Sequence, residues 1–300
     1  MRPAGLHGVI APIPTPLDAE TGDLAPVVLR HVTRALLEAG LDGIAVAGST
    51  GEGELLDETE KVQAVEYLRD VVPDDRWLIA GTGAESTRAA LRQAQAAAAA
   101  GADAVLVRPP AYFGSILPPA AFAYHYARIA DESPVPVIIY NIPKYTNVAL
   151  SDAVLRAVAD HERIIGFKDS SGDLKNFSAF RAAAPRLAAL MGGGHLFYPA
   201  LEMGASGAVL AIACFAAAQC AQLYRAYRED DRQQAGALQE RLTPLARNIV
   251  GAYGPAGIKA AMEVIGLPCG PVRAPLVDLD ARARARVIDA LTAAGLKAAA

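Results

Sequence analysis

Three hundred residues, 53% of them hydrophobic and 20% charged, suffice for one large domain or two ordinary ones and exclude a disordered chain. A net charge of −4 with no dense basic cluster speaks against nucleic acid or an anionic membrane as partner. The longest apolar run, Ala208 to Ala218, falls far short of the ~20 residues a bilayer crossing needs, so a cytoplasmic chain is expected.

The N-terminal stretch "MRPAGLHGVIAPIPTPL" is interrupted by prolines and lacks a signal-type apolar core. A weak repeat follows: "AGLDGIAV" (39–46), "AGADAVLV" (100–107) and "MGASGAVL" (203–210) each place a glycine ahead of an apolar run, after an alanine-rich or amphipathic stretch. Glycine suits the left-handed residue that ends a helix, and the run suits a strand buried on both faces. The unit is therefore helix, tight turn, parallel strand. On this pattern strands are predicted at 7–11, 43–47, 77–81, 104–108, 135–140, 164–168, 188–191 and 207–213. Helices are predicted between them at 25–39, 58–71, 86–100, 118–131, 151–160, 173–183, 196–203 and 215–229.

Eight such units define a (β/α)8 TIM barrel over residues 1–230. The competing topology, a doubly wound open sheet, lacks the GxGxxG that would open its first helix in the dinucleotide-binding form. Residues 231–300 carry only helical patterns (231–250, 255–266 and 279–299) and are read as a C-terminal helical extension. Cys214, Cys220 and Cys269 lack CxxC spacing and are expected to be reduced, and the five histidines form no HxxxH or HExxH, so no metal site is expected.

In a TIM barrel the chemistry lies where strands end and helices begin. Those positions hold "GSTGEG" (48–53), "RPPAYF" (108–113), "YNIPKYT" (140–146) and "FKDSSGD" (167–173). Only six of the 28 basic residues are lysines, and Lys168 sits at the tip of a buried strand. Strand alternation gives Lys168 the same side as Gly166 and Ile164, with Phe167 and Asp169 facing away. Tyr140, on a neighbouring strand ~4.8 Å away, reaches the same pocket.

A desolvated lysine amine is free part of the time and condenses with a 2-oxo acid to a Schiff base, an electron sink for bond making at the adjacent carbon. The competing reading is a lysine that reaches out to solvent or pairs with a carboxylate such as Glu52. The backbone at Gly48 and Gly51, with Ser49 and Thr50, forms a nest suited to a carboxylate. The same segment also reads as a helix N-cap followed by Glu52 and Glu54. Tyr140 is either a proton carrier in a hydroxyl network with Ser49, Thr50 and Tyr112, or an amphipathic strand cap. "GTGAES" (81–86) and "GGGH" (192–195) are weaker signals, and His195 is read as structural or substrate-lining rather than as a base.

In this order, from "GVIAPIPTPL" through "GSTGE", "YNIP" and "GFKDSSGD" to "GASGAVLA", these motifs resemble the dihydrodipicolinate synthase / N-acetylneuraminate lyase family of pyruvate-dependent class I aldolases. The resemblance implies an imine between Lys168 and pyruvate, with no separate cofactor. It makes Tyr140 the proton relay and gives the pyruvate carboxylate to Ser49, Thr50 and the backbone at Gly48. Val209 and Tyr145 would complete the substrate pocket. Tyr112 matches a second tyrosine that in several members enters a neighbouring subunit's site, so a homodimer or homotetramer is expected. Two departures bear on substrate. Lysine-pathway synthases carry an arginine at the position of Tyr145, and sialic-acid lyases carry an acidic pair where this chain has "GGGHLF". The resemblance therefore implies a 2-keto-3-deoxy sugar acid or 4-hydroxy-2-oxoglutarate aldolase, with 4-hydroxy-tetrahydrodipicolinate synthase as the alternative. A non-catalytic barrel that binds a 2-oxo acid is the remaining reading.

Overall fold

Eight parallel strands close on themselves in chain order: β1 (Gly8–Pro12), β2 (Gly43–Val46), β3 (Trp77–Gly81), β4 (Ala104–Val107), β5 (Val137–Asn141), β6 (Ile164–Asp169), β7 (Ala188–Met191) and β8 (Gly207–Val209). The structure is a computed structural model and describes residues 5–296. The barrel is the TIM barrel predicted from the repeat. Its strands begin and end within three residues of the predicted limits, except that β8 stops at Val209. There the chain turns into a 3-10 segment, Ala211–Cys214, and Cys214 Sγ donates to Pro12 O at 3.3 Å.

Helices α1 (Pro26–Glu38), α2 (Glu58–Arg69), α3 (Thr87–Ala99), α4 (Pro119–Glu132), α5 (Pro143–Thr146), α6 (Asp152–Val158), α7 (Leu174–Ala183), α8 (Phe197–Glu202) and α9 (Ala217–Arg228) cover the outside. The four-residue α5 is absent from the sequence-based reading. Local chemistry explains the boundaries. Asp57 and Glu60 form a reciprocal capping box at the start of α2, and the Ser86 hydroxyl accepts from Ala89 N to start α3. In α3, Ala90, Ala94 and Ala97 recur at helical spacing on the buried face, where small side chains let the helix lie close to the sheet.

The two faces of the sheet make two apolar layers. Ile10, Ala45, Ile79, Leu106, Ile138 and Val209 fill the barrel, whereas Val9, Ile44, Leu78, Val105, Ile139 and Phe167 meet the helices. Phe167 is fully buried, with ring centroids 5.9 Å from Phe177 and 5.6 Å from Phe180 on α7. Its burial contributes on the order of 2–3 kcal/mol, and each ring pair roughly 0.5–1.5 more.

Strict alternation fails at the start of β6. Val137 pairs with Ile164 but Ile138 pairs with Gly166, so Ile165 is an extra residue. Ile164 joins the outer layer and Ile165 packs on the inner one, contrary to the expected side of Ile164. Beyond the bulge the expected sides of Gly166, Phe167 and Lys168 hold. Gly166 is closely packed: a Cβ there would lie 2.7 Å from Ala188 O and 2.9 Å from Leu6 Cδ2.

After the barrel come α10 (Arg232–Leu245), a π-helical stretch (Ala246–Gly251), α11 (Ala252–Val264) and α12 (Ala281–Ala293). The predicted 279–299 helix thus ends early, and its residues 297–299 lie outside the described residues. Leu242, Ile249, Met262 and Leu291 belong to the same apolar cluster as the outer barrel layer. That packing brings Val250, Gly251, Gly254 and Ile258 to the barrel mouth as one wall of its cavity.

Candidate active site

Tyr140 and Lys168 are direct register partners on β5 and β6. Both are 5% exposed, and Lys168 Nζ lies 4.1 Å from the centroid of the Tyr140 ring. Among the described residues Lys168 has no ion-pair partner. The carboxylate that the sequence offered, Glu52, is engaged elsewhere: Lys259 Nζ is 2.8 Å from its Oε1, and Arg273 N donates to its Oε2 at 2.6 Å. The amine is thus held over an aromatic face, away from bulk water.

The opposite wall is the loop after β2. Tyr140 Oη and Ser49 Oγ are 3.5 Å apart, a long contact that either hydroxyl can donate. The loop is tied by Gly53 N donating to Gly48 O at 3.0 Å and by Thr15 Oγ1 donating to Gly51 O at 2.6 Å. Glycine is required at 53, where a Cβ would fall 1.9 Å from Ala47 O. The helix-cap reading of this segment is corrected. Asp57 caps α2, while Glu52 has a left-handed φ of 57° and turns into the buried pair with Lys259.

Behind the lysine lies a polar knot that sequence reasoning missed. Asp169, 1% exposed, accepts from Asn141 Nδ2 at 2.8 Å, Asn176 Nδ2 at 3.0 Å, Ser171 Oγ at 2.9 Å and Ser171 N at 3.0 Å. Asn141 in turn accepts from Leu150 N at 3.1 Å. A buried carboxylate satisfied four ways fixes the ends of β5 and β6, and so the spacing of Tyr140 and Lys168. The available signal was an Asn directly after Tyr140 and an Asp directly after Lys168, two polar residues closing otherwise apolar strands.

Lys168, Tyr140, Ser49, Thr50, Tyr145 and Val209 line one cavity of about 170 Å³. Gly48 sits beside it, lining a small adjoining cavity together with Ser49 and Tyr140. Three further polar residues line the main cavity, Lys144, Ser170 and His195. Burial, and then the nearby Arg247 charge, hold His195 below the ordinary histidine value. Burial, and then Tyr140, push the Tyr145 phenol up, so it stays protonated.

Tyr112 lines neither of these cavities. It is 81% exposed, stacked edge-on against Phe113, and its backbone N–H donates to Glu85 Oε2 at 2.7 Å. Burial alone would raise the Glu85 carboxyl. The backbone donors Tyr112 and Ala111, with the charge of Arg108, outweigh it and leave the pKa below the ordinary value. The hydroxyl network expected to include Tyr112 is therefore not assembled within one chain.

The sequence model of the dihydrodipicolinate synthetase family matches residues 5–294. An uncharacterized DapA-like lyase of Halobacterium salinarum is 37% identical over 294 residues, covering 98% of this chain and 96% of its own. A 4-hydroxy-tetrahydrodipicolinate synthase of Acidothermus cellulolyticus is 34% identical over 295 residues, covering 98% and 94%. Among solved structures, the chloride-inhibited dihydrodipicolinate synthase of Acinetobacter baumannii complexed with pyruvate superposes with a TM-score of 0.91 at 30% identity, covering 97% of this chain and 99% of that one. Fold and relatives together define a TIM-barrel lyase. The chain belongs to the dihydrodipicolinate synthetase family. Among the described residues no helix is long and apolar enough to cross a membrane.

Proposed function

We propose that the protein is a class I aldolase that cleaves or builds a 4-hydroxy-2-oxo acid, with pyruvate as one component. The supporting observation is the pairing of Lys168 with Tyr140, a buried amine without a carboxylate partner among the described residues and beside a phenol that reaches Ser49. Lys168 Nζ attacks C2 of pyruvate, and loss of water leaves an iminium. Removal of a C3 proton gives the enamine, whose C3 forms the new carbon–carbon bond to an aldehyde carbon. The aldehyde oxygen takes up a proton, and water then hydrolyses the iminium to release product and free the lysine. Tyr140, in contact with Ser49, relays the protons, and Ser49 and Thr50 with the Gly48 backbone hold the pyruvate carboxylate. The bond to substrate is the lysine's own, so no separate cofactor enters the scheme.

Tyr112, exposed on the β4–α4 loop, is assigned to a contact between subunits of a homodimer or homotetramer. Phe113 and Ile116, at 63% and 75% exposed, lie beside it in sequence. Reduction with borohydride in the presence of pyruvate, followed by peptide mapping, is expected to place one adduct on Lys168. An adduct elsewhere, or none, overturns the reading. The Acidothermus relative supports a second reading, 4-hydroxy-tetrahydrodipicolinate synthase acting on aspartate semialdehyde. Growth of a diaminopimelate auxotroph carrying this gene would favour it, and failure to grow with folded protein present would remove it.

A further inference from the structure

Arg108 follows β4 at the barrel mouth, and the proposed chemistry leaves it without a role. Its side chain is 13% exposed and its guanidinium donors are fully engaged on loops of the mouth. Nε and Nη2 donate to the two carboxylate oxygens of Glu54 at 2.8 and 2.7 Å. Nη1 donates to Glu85 Oε1 and to Pro109 O, both at 2.9 Å. The side chain lies across Gly83, where a Cβ would fall 2.2 Å from Arg108 Cγ.

The two glutamates belong to different loops. Glu85, after β3, passes the tie on to the loop after β4, its Oε2 accepting from Ala111 N at 2.9 Å and Tyr112 N at 2.7 Å. Glu54 belongs to the tight turn that carries Ser49, closed by Gly53 N donating to Gly48 O at 3.0 Å and Glu52 N to Ser49 O at 3.3 Å. Arg108, Glu54, Ser49 and Tyr140 line one cavity of about 20 Å³, room for about one water. The Ser49–Tyr140 hydroxyl contact, at 3.5 Å, stands at the outer limit of a hydrogen bond, so a small shift of this loop makes or breaks it. Lys259 holds the loop from the C-terminal helices through Glu52, and Arg108 holds it from the barrel through Glu54.

We propose that Arg108 is a positioning residue for proton transfer: its guanidinium joins the loops after β2, β3 and β4 and sets Ser49 against Tyr140. The inference rests on the Tyr140 relay of the proposed aldolase reaction and extends it to a side chain that does not line the main cavity. Lysine cannot take its place, because an ammonium has no planar fork to hold Glu54 through both oxygens and reach Glu85 as well.

The test separates imine formation from proton transfer, with pyruvate alone in D2O. The borohydride trap reports the imine at Lys168, and loss of the pyruvate methyl proton signal by NMR reports exchange through the enamine. In Arg108→Met and Arg108→Lys the adduct should form with a pyruvate dependence within ~3-fold of the parent's, while exchange slows ~10-fold or more. Glu54→Gln, at a partner 58% exposed, alters the same tie with little risk to the fold and should slow exchange likewise. Combined with Arg108→Met it should add little further loss, since both remove one interaction. Arg92→Met, which removes an exposed bridge to Glu58, should exchange like the parent. Parent-like exchange in Glu54→Gln, full recovery in Arg108→Lys, or equal loss of adduct and exchange overturns the assignment. An adduct at Lys168 with exchange indifferent to these variants sinks the brace only, whereas no adduct in the parent sinks the aldolase reading and the brace with it.

Discussion

Glu52 and Lys259 form a buried ion pair, 2.8 Å from Oε1 to Nζ, with side chains 0% and 4% exposed. It joins the loop after β2, which carries Ser49 and Thr50, to α11 in the C-terminal helices. Lys259 Nζ also donates to Pro271 O at 2.5 Å. Removing one partner of such a pair leaves an uncompensated buried charge. Lys259→Met is therefore expected to destabilise the protein by ~3–5 kcal/mol, whereas Lys259→Met with Glu52→Gln should recover much of the loss. Urea unfolding of the two variants measures both, and equal destabilisation would show that the pair is not what holds the loop.

The catalytic assignments make a separate expectation. Lys168→Ala should abolish both turnover and the borohydride adduct while circular dichroism and thermal unfolding stay near the parent's, since among the described residues the lysine forms no ion pair whose partner would be left bare. Tyr140→Phe keeps the ring beneath Nζ and removes only the hydroxyl near Ser49. Its kcat should fall by ~10²-fold or more with a smaller change in KM. A kcat close to the parent's would remove Tyr140 from proton transfer.

The barrel was legible because three of the helix–turn–strand units share a signature, a glycine, a small residue and an apolar run, and the other strands read as short apolar runs between helical patterns. Lys168, Tyr140, Ser49 and Thr50 were legible because they terminate such runs, and the fold brings all strand ends to one mouth. Four things were hidden, each for a physical reason. The bulge at Ile165 leaves no mark in a run of apolar residues, so the side taken by Ile164 came out reversed. The partner of Glu52 lies 207 residues on, beyond any local pattern, and the wall formed by Val250, Gly251 and Gly254 depends on how α11 docks. Tyr112 points into solvent within a single chain, so any contribution it makes to a site requires a second copy.

Acid sensitivity should trace to a group outside the site. His125 is 3% exposed, with Nδ1 2.9 Å from Thr87 Oγ1 and Nε2 without a hydrogen-bond partner among the described residues. Burial, and then the positive charge of Arg108, depress it from 6.5 to about 4, with Glu85 pulling the other way. The folded state resists the proton that the unfolded state accepts. This contribution to stability is therefore complete above pH ~6.5 and is lost progressively as pH falls toward about 4, by roughly 3 kcal/mol. Urea unfolding at pH 7.5 and 4.5 should show that loss in the parent and most of it gone in His125→Asn, whatever the variant's stability at neutral pH. An unchanged pH dependence in the variant would place the sensitivity elsewhere.

Two glycines in the same cavity wall should respond oppositely to alanine. Gly251 has helical angles, φ −65° and ψ −43°, and an added Cβ would come no closer than 3.4 Å to Ala246 O. Gly251→Ala narrows the unfolded ensemble without native strain and is expected to stabilise by ~0.4–1 kcal/mol. Gly254 has φ 55° and ψ −139°, angles that L side chains avoid, and its Cβ would lie 3.2 Å from Tyr145 Oη. Gly254→Ala should destabilise by ~1–3 kcal/mol and displace Tyr145, raising KM for the aldehyde while the pyruvate adduct still forms at Lys168. Side-by-side thermal unfolding and acceptor kinetics check the pair. If both alanines shifted stability the same way, the left-handed turn at Gly254 would not be what shapes this wall.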